Sequence, residues 1–112
     1  MKRHIMKLSA KPFLLIKNGE KTIESRLYDE KRQKIQIGDE IEFQESGSST
    51  NTLCVKVIDL YRSPTFRELF SWFSPHDFGA ESIDELLTEI YSFYSKEDEK
   101  RFGVIGVRVM LL

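Results

Sequence analysis

A single cysteine, Cys54, is all the chain carries, so no internal disulfide and no cysteine-based zinc site can form. Histidine is nearly as scarce: His4 and His76 stand alone, in neither HxH nor HxxxH spacing. A metal centre would have to rest on carboxylates, and neither a metal nor a cofactor is expected. Long apolar runs are missing too. The N-terminal run PFLLI is five residues long, too short for a signal-peptide core, and no small-residue cleavage pattern follows it. Nothing approaches a membrane-spanning length, so the expectation is a cytoplasmic chain with no membrane partner. A large charge of one sign is also absent. The formal net charge is −1, which does not suit a broad non-specific nucleic-acid track.

What is there is an uneven distribution of that charge. Residues 1–34 hold ten Lys/Arg against four Asp/Glu, whereas residues 35–112 hold seven against fourteen. Either the two parts neutralise each other across the fold, or the N-terminal part presents a basic face to an anion. With 112 residues, 40% hydrophobic and 12% aromatic, the chain is expected to form one domain over 1–112.

The hydrophobic pattern alternates between two periods. HIMKLS (4–9) reads as a strand, with Ile5, Met6 and Leu8 towards the core. Ser9 can cap a helix starting around Pro12, with Phe13, Ile16 and Leu14 buried and Asn18-Gly19 as its stop. TIESRLY (22–28) alternates with Ile23, Ser25 and Leu27 on a core face and Thr22, Glu24, Arg26 and Tyr28 on a polar face outside the sheet core. DEKRQK (29–34) is a charged loop; a Gly38-Asp39 turn leads to a strand holding Ile41 and Phe43. ESGSSTN (45–51) is a surface loop by composition. TLCVKVIDLYRS (52–63) is the strongest strand. FRELFSWF places Phe66, Phe70 and Phe73 on one helical face, with Trp72 off it. SPHDFGAES (74–82) is a loop. Ser82 and Glu85 form a capping box before a helix through IDELLTEIYSFY. FGVIGVRVMLL (102–112) closes the chain as a strand, with Val104 apart from Ile105, Val107 and Val109. The order is β-α-β-β-β-α-α-β, which predicts an α+β fold: a small mixed barrel of five to six strands with helices in the connections.

The segment that invites a functional reading is GEKTIESRLYD (19–29), where Glu20, Lys21, Glu24 and Arg26 crowd into seven positions. The plain alternative is a solvated strand face whose ion pair contributes about 0–1 kcal/mol. The functional reading is a pocket holding a carboxylate, a guanidinium and an amine around a small volume, suited to a polar heterocycle, a phosphate or acid–base chemistry.

The pattern G-x-K-x-x-E-x-R, here Gly19, Lys21, Glu24 and Arg26, resembles the signature of the ASCH domain family, relatives of the PUA RNA-binding fold. K-P-F-x-x-I-x-x-G before it, I-x-x-G-D-x-I-x-F after it, and the terminal Y-S-x-E-x-E-x-x-F-G-V-I-G-V fit the family's order, so the likeness spans nearly the whole chain. It implies a PUA-like β-barrel with a cleft lined by Lys21, Glu24 and Arg26, and RNA or a modified nucleoside as partner. One bacterial branch of the family is similar in size and removes the acetyl group from N4-acetylcytidine with a lysine, a threonine and a distant glutamate. Its lysine corresponds to Lys21 and its motif arginine to Arg26. The position of its threonine holds Glu24, and its glutamate falls near Gly79, with Glu81 and Asp77 as close substitutes.

Three functions follow as expectations. As a binder of RNA or a nucleoside, Glu24 accepts from an exocyclic amine, Lys21 and Arg26 hold a phosphate, and Tyr28, Trp72 or Tyr94 stacks on a base. As an amidohydrolase, Lys21 activates water or attacks, and Glu81 returns a proton to the leaving amine. Thr22 offers a hydroxyl on the Glu24 strand face, and Glu24 opposes a neutral lysine. The third reading, a protein-interaction module, rests on the aromatic run FRELFSWFSPHDF.

Overall fold

The computed structural model describes residues 1–48 and 50–112. Five strands, four α-helices and two 3-10 turns are formed among them: β1 (Arg3–Leu8), α1 (Ala10–Lys17), β2 (Ile23–Leu27), a turn at Arg32–Lys34, β3 (Glu40–Glu45), β4 (Thr52–Ser63), α2 (Phe66–Ser71), a turn at Pro75–Phe78, α3 (Ile83–Ile90), α4 (Lys96–Phe102) and β5 (Val104–Leu111). The composition-based loop over 45–51 includes residue 49, which lies outside the described residues.

The strands form one sheet in the order β1-β3-β4-β5-β2. β1 runs parallel to β3, and all other pairs are antiparallel. The result is a mixed half-barrel with helices in the connections, an α+β fold of PUA-like type. β4 is the long central strand: Thr52–Lys56 pairs with β3 and Val55–Ser63 with β5, with a bulge between Val57 and Asp59 in the β5 ladder. β1 and β2 are therefore the two edges, with a seam between them.

Alternation along the strands feeds two cores. Met6, Ile41, Phe43, Val55, Val57, Ile105, Val107 and Val109 fill the inside of the half-barrel, where Phe13 and Ile16 of α1 close it. Ile23, Leu27 and Val104 point the other way, into a layer with Phe66, Leu69, Phe70, Phe78, Leu86 and Leu87. The separation of Val104 from the Ile105–Val107–Val109 set is thus a change of core. Gly106 allows α2 to lie close on β5, because a Cβ there would come within 3.1 Å of Leu69 Cδ1. Phe66 and Phe70 are fully buried, so the aromatic run builds core; Phe73 follows α2 and is half-buried.

Several expectations are corrected. Leu14 is exposed on the outer side of α1 rather than buried, and α1 begins two residues before Pro12. The face of β2 carrying Glu24 and Arg26 does not lie outside the core: Glu24 is 5% exposed. Both faces of this strand are covered, one by the helical layer and one by the seam. The helix expected through IDELLTEIYSFY stops at Ile90, and a further helix, α4, follows. Ser95 caps α4 by accepting from the Asp98 N–H, its first turn is acidic and its last turn basic, which together favour a separate start. The capping box of α3 is shifted: Ser82 accepts from Glu85 N–H, but Glu85 accepts from Glu81 N–H.

Candidate ligand-binding cavity at the barrel seam

Lys21 stands at the entry to β2, and Glu24 and Arg26 follow on the strand. Their side chains converge. Lys21 Nζ lies 2.7 Å from Glu24 Oε1 and Arg26 Nε lies 2.6 Å from Glu24 Oε2. All three are withdrawn from water, with the Lys21 and Arg26 side chains 12% exposed and that of Glu24 6%. Burial by itself pushes the Glu24 carboxyl up, but the Lys21 and Arg26 charges and hydrogen bonds outweigh it and hold its pKa down at about 2. Burial works against the Arg26 guanidinium, yet the Glu24 charge and the neighbouring Tyr94 hold it above its ordinary value. The cluster is an ionised Lys–Glu–Arg set inside the protein, not a solvated surface pair.

Arg26 reaches further. Its Nη2 donates to the Lys7 carbonyl at 2.8 Å, so the guanidinium spans from β2 to β1 across the seam. Beside that bridge is a cavity of about 350 Å³, at the small end of the roughly 300–1,000 Å³ typical of ligand sites. Its wall includes the polar side chains of Lys7, Ser9, Lys21, Glu24, Ser25, Arg26 and Ser46. It also includes the apolar side chains of Phe70, Phe78, Leu86, Ile90 and Phe93, together with Glu89 and Tyr94. Phe93 is 67% exposed, in the turn after α3. Ser9 occupies the cap position of α1 without a side-chain cap bond, so its hydroxyl is not committed to the helix.

The model of the ASCH domain family matches residues 6–110. The chain belongs to the ASCH domain family. That family is usually linked to RNA binding. Among solved structures, the hypothetical protein PH0355 is 35% identical, with a TM-score of 0.86 over 100% of both chains. Protein PF0455 from Pyrococcus furiosus is 34% identical, with a TM-score of 0.77 over 98% of this chain and 97% of that one. A mutant form of ZmASCH from Zymomonas mobilis is 11% identical, with a TM-score of 0.69 over 96% of this chain and 67% of that one; at that identity the likeness is one of fold. A search of curated proteins returned no match.

In this ASCH domain the structure gathers four of the residues singled out in the sequence, Lys21, Glu24, Arg26 and Tyr94, at one cavity. The others lie elsewhere. Tyr28 packs against the half-barrel core with the Arg62 guanidinium 3.9 Å from its ring centroid. Trp72 is 47% exposed after the last turn of α2 and is not part of the cavity wall. Thr22 is half-buried; its hydroxyl oxygen is buried without a hydrogen-bond partner among the described residues, and its N–H donates to the Asp77 carbonyl at 2.9 Å. Asp77 thereby ties the 3-10 turn to the start of β2. Glu81 is exposed, near His76, in the wall of a second cavity of about 310 Å³. Gly79 and the Lys21 stem stand between the two hollows: a Cβ on Gly79 would lie 3.1 Å from Lys21 Cδ.

Tyr94 stacks on Phe66, with ring centroids 5.9 Å apart and an interplanar angle of 12°, which occupies one of its faces. The exposed aromatic side chain in the cavity wall is Phe93, which the sequence pattern does not single out. Lys7 was passed over as well. The periodicity of β1 does turn Lys7 outward, but only the strand order, which makes β1 and β2 the facing edges, brings it to Arg26. No helix of the described residues is long and apolar enough to cross a membrane, and no cluster of three metal-ligating side chains occurs among them.

Proposed function

We propose that this ASCH domain binds an unpaired base, from RNA or as a modified nucleoside, in the cavity between β1 and β2. The observation that carries the reading is the buried Lys21–Glu24–Arg26 cluster in the wall of a hollow that aromatic side chains also line. Burying three charges is costly unless they are paired and hydrogen-bonded. Glu24, held ionised, is an acceptor for an exocyclic amine. Phe93 offers an exposed ring for stacking, worth about 1–3 kcal/mol per base. Sequence-specific recognition of RNA commonly takes this form, with a splayed base held between an aromatic surface and polar groups that read its edge.

Short single-stranded RNAs titrated at two salt concentrations test the reading. Phe93→Ala should weaken binding roughly 5- to 150-fold, and equal affinity for the two proteins would end it. Phe93 is exposed, so its truncation leaves the core intact.

The hydrolase reading has one specific support, the presence of Lys21 in the wall of the same cavity. Against it, the residue beside the Lys21 stem is Gly79, and Glu81 faces the second hollow. Acetate release from N4-acetylcytidine, abolished by Lys21→Ala, would reverse the ranking.

A further inference from the structure

The charges in the cavity do not balance. Lys21 and Arg26 bring two positive charges to the single carboxylate of Glu24, and all three side chains are nearly closed to solvent. A surplus positive charge in such a place is unfavourable until an anion arrives. Lys7, in the wall of the same cavity, adds another cation. Glu89, on α3, is the remaining carboxylate of the wall, and with it counted the lining still carries three cations against two carboxylates.

The donors of Arg26 point to the same conclusion. A guanidinium carries five N–H donors. Nε–H serves Glu24 and one Nη2–H serves the Lys7 carbonyl, while Tyr94 stands alongside. With Tyr94 taking a further hydrogen bond, at least two of the five donors remain, on a side chain of the cavity wall, in the planar fork that matches phosphate or carboxylate oxygens. Lys7 lines the same cavity and belongs to the strand whose carbonyl already holds that fork in place, so a flexible cation and a fork flank one hollow.

We infer that the ligand carries a phosphate, seated between Lys7 and Arg26, and is therefore a nucleotide rather than a free nucleoside. This rests on the proposed base-binding function and adds its polarity: the phosphate at the β1–β2 seam, the base against Phe93. Lys21 is not the phosphate ligand; it is committed to Glu24 and keeps that carboxylate ionised beside the base.

Calorimetric titration with the four ribonucleosides and the four ribonucleoside 5′-monophosphates decides the matter, using the wild type and Lys7→Ala. The Lys7 side chain is exposed and only its backbone carbonyl takes part in the bridge, so the variant keeps the seam. The expected result is that the preferred monophosphate binds at least about 10-fold more tightly than its nucleoside, a difference of about 1.4 kcal/mol, and that Lys7→Ala removes most of that preference. Inorganic phosphate should compete with the monophosphate. Equal affinity for nucleoside and monophosphate overturns the inference while leaving base binding standing. A preference that survives Lys7→Ala undiminished overturns the assigned seat. No binding of any of the eight compounds, nor of a short single-stranded RNA, overturns both the inference and the function beneath it.

Discussion

Arg26 Nη2 on β2 donates to the Lys7 carbonyl on β1 at 2.8 Å, so a side chain joins the two sheet edges where backbone pairing stops. The same guanidinium holds Glu24 through Nε at 2.6 Å. One residue thus fixes both the width of the seam and the ionised carboxylate inside it, which makes the shape of the cavity and its charge inseparable.

Removing that residue should be felt as stability first. Arg26→Ala leaves Glu24 with Lys21 alone and opens the seam, and breaking a buried pair costs about 3–5 kcal/mol. Urea unfolding should show this loss, with Arg26→Lys recovering only part of it, because an ammonium cannot span from Glu24 to Lys7 with a rigid fork. A loss of under 1 kcal/mol would mean that the bridge is a surface contact in solution.

The pH dependence follows from Glu24. Its pKa falls from an ordinary 4.5 to about 2 in the folded protein, so at low pH the unfolded state takes up protons before the folded one does. The stabilisation is fully present above 4.5 and is lost as the pH falls towards 2. At about 1.4 kcal/mol per unit it is on the order of 3 kcal/mol. Asp39, buried against His4 at 2.7 Å and lowered from 3.8 to about 2, adds in the same window. Glu24→Gln should be less stable at pH 7 and should flatten the acid limb of the stability–pH curve, with the Asp39 contribution left in place. An unchanged acid limb would contradict the buried ion pair.

Gly79 is the quieter determinant of the site. Its φ of +87° disfavours any side chain, and a Cβ would lie 3.1 Å from Lys21 Cδ and 3.2 Å from Leu15 Cδ1. Gly79→Ala should destabilise the protein by about 1–3 kcal/mol and displace Lys21 from Glu24. Thermal unfolding reads the first effect. A shallower acid limb than the wild type reads the second, since a carboxylate without Lys21 has less pKa depression to lose.

The strands were legible because β-branched residues alternate over both core faces: Ile41 and Phe43, Val55 and Val57, Ile105, Val107 and Val109 all sit where period two puts them. The Lys21–Glu24–Arg26 grouping was legible because i, i+2 spacing puts Glu24 and Arg26 on one strand face and Lys21 precedes them closely. What the pattern could not supply is strand order. β1 and β2 are both N-terminal yet stand at opposite ends of the sheet, and only its curvature brings Lys7 to Arg26. Phe93 was hidden for a local reason. IDELLTEIYSFY continues a helical period, and the break at Ile90 comes from the capped start of α4 and from Tyr91, whose hydroxyl donates to Glu99 at 2.8 and 2.9 Å. That buried tie, on a carboxylate that also accepts from Phe66 N–H at 2.8 Å, is a tertiary contact with no signature in the helix pattern.

The central claim is that the seam cavity is where the ligand sits. Amide chemical-shift mapping by NMR during titration with a short single-stranded RNA tests it most directly. The shifts should concentrate on Lys7, Ser25, Arg26 and Phe93, with the Arg26 Nε–H signal moving among the largest. Shifts concentrated instead around Trp72, around α4 or over the second cavity at His76, with Arg26 unmoved, would contradict it.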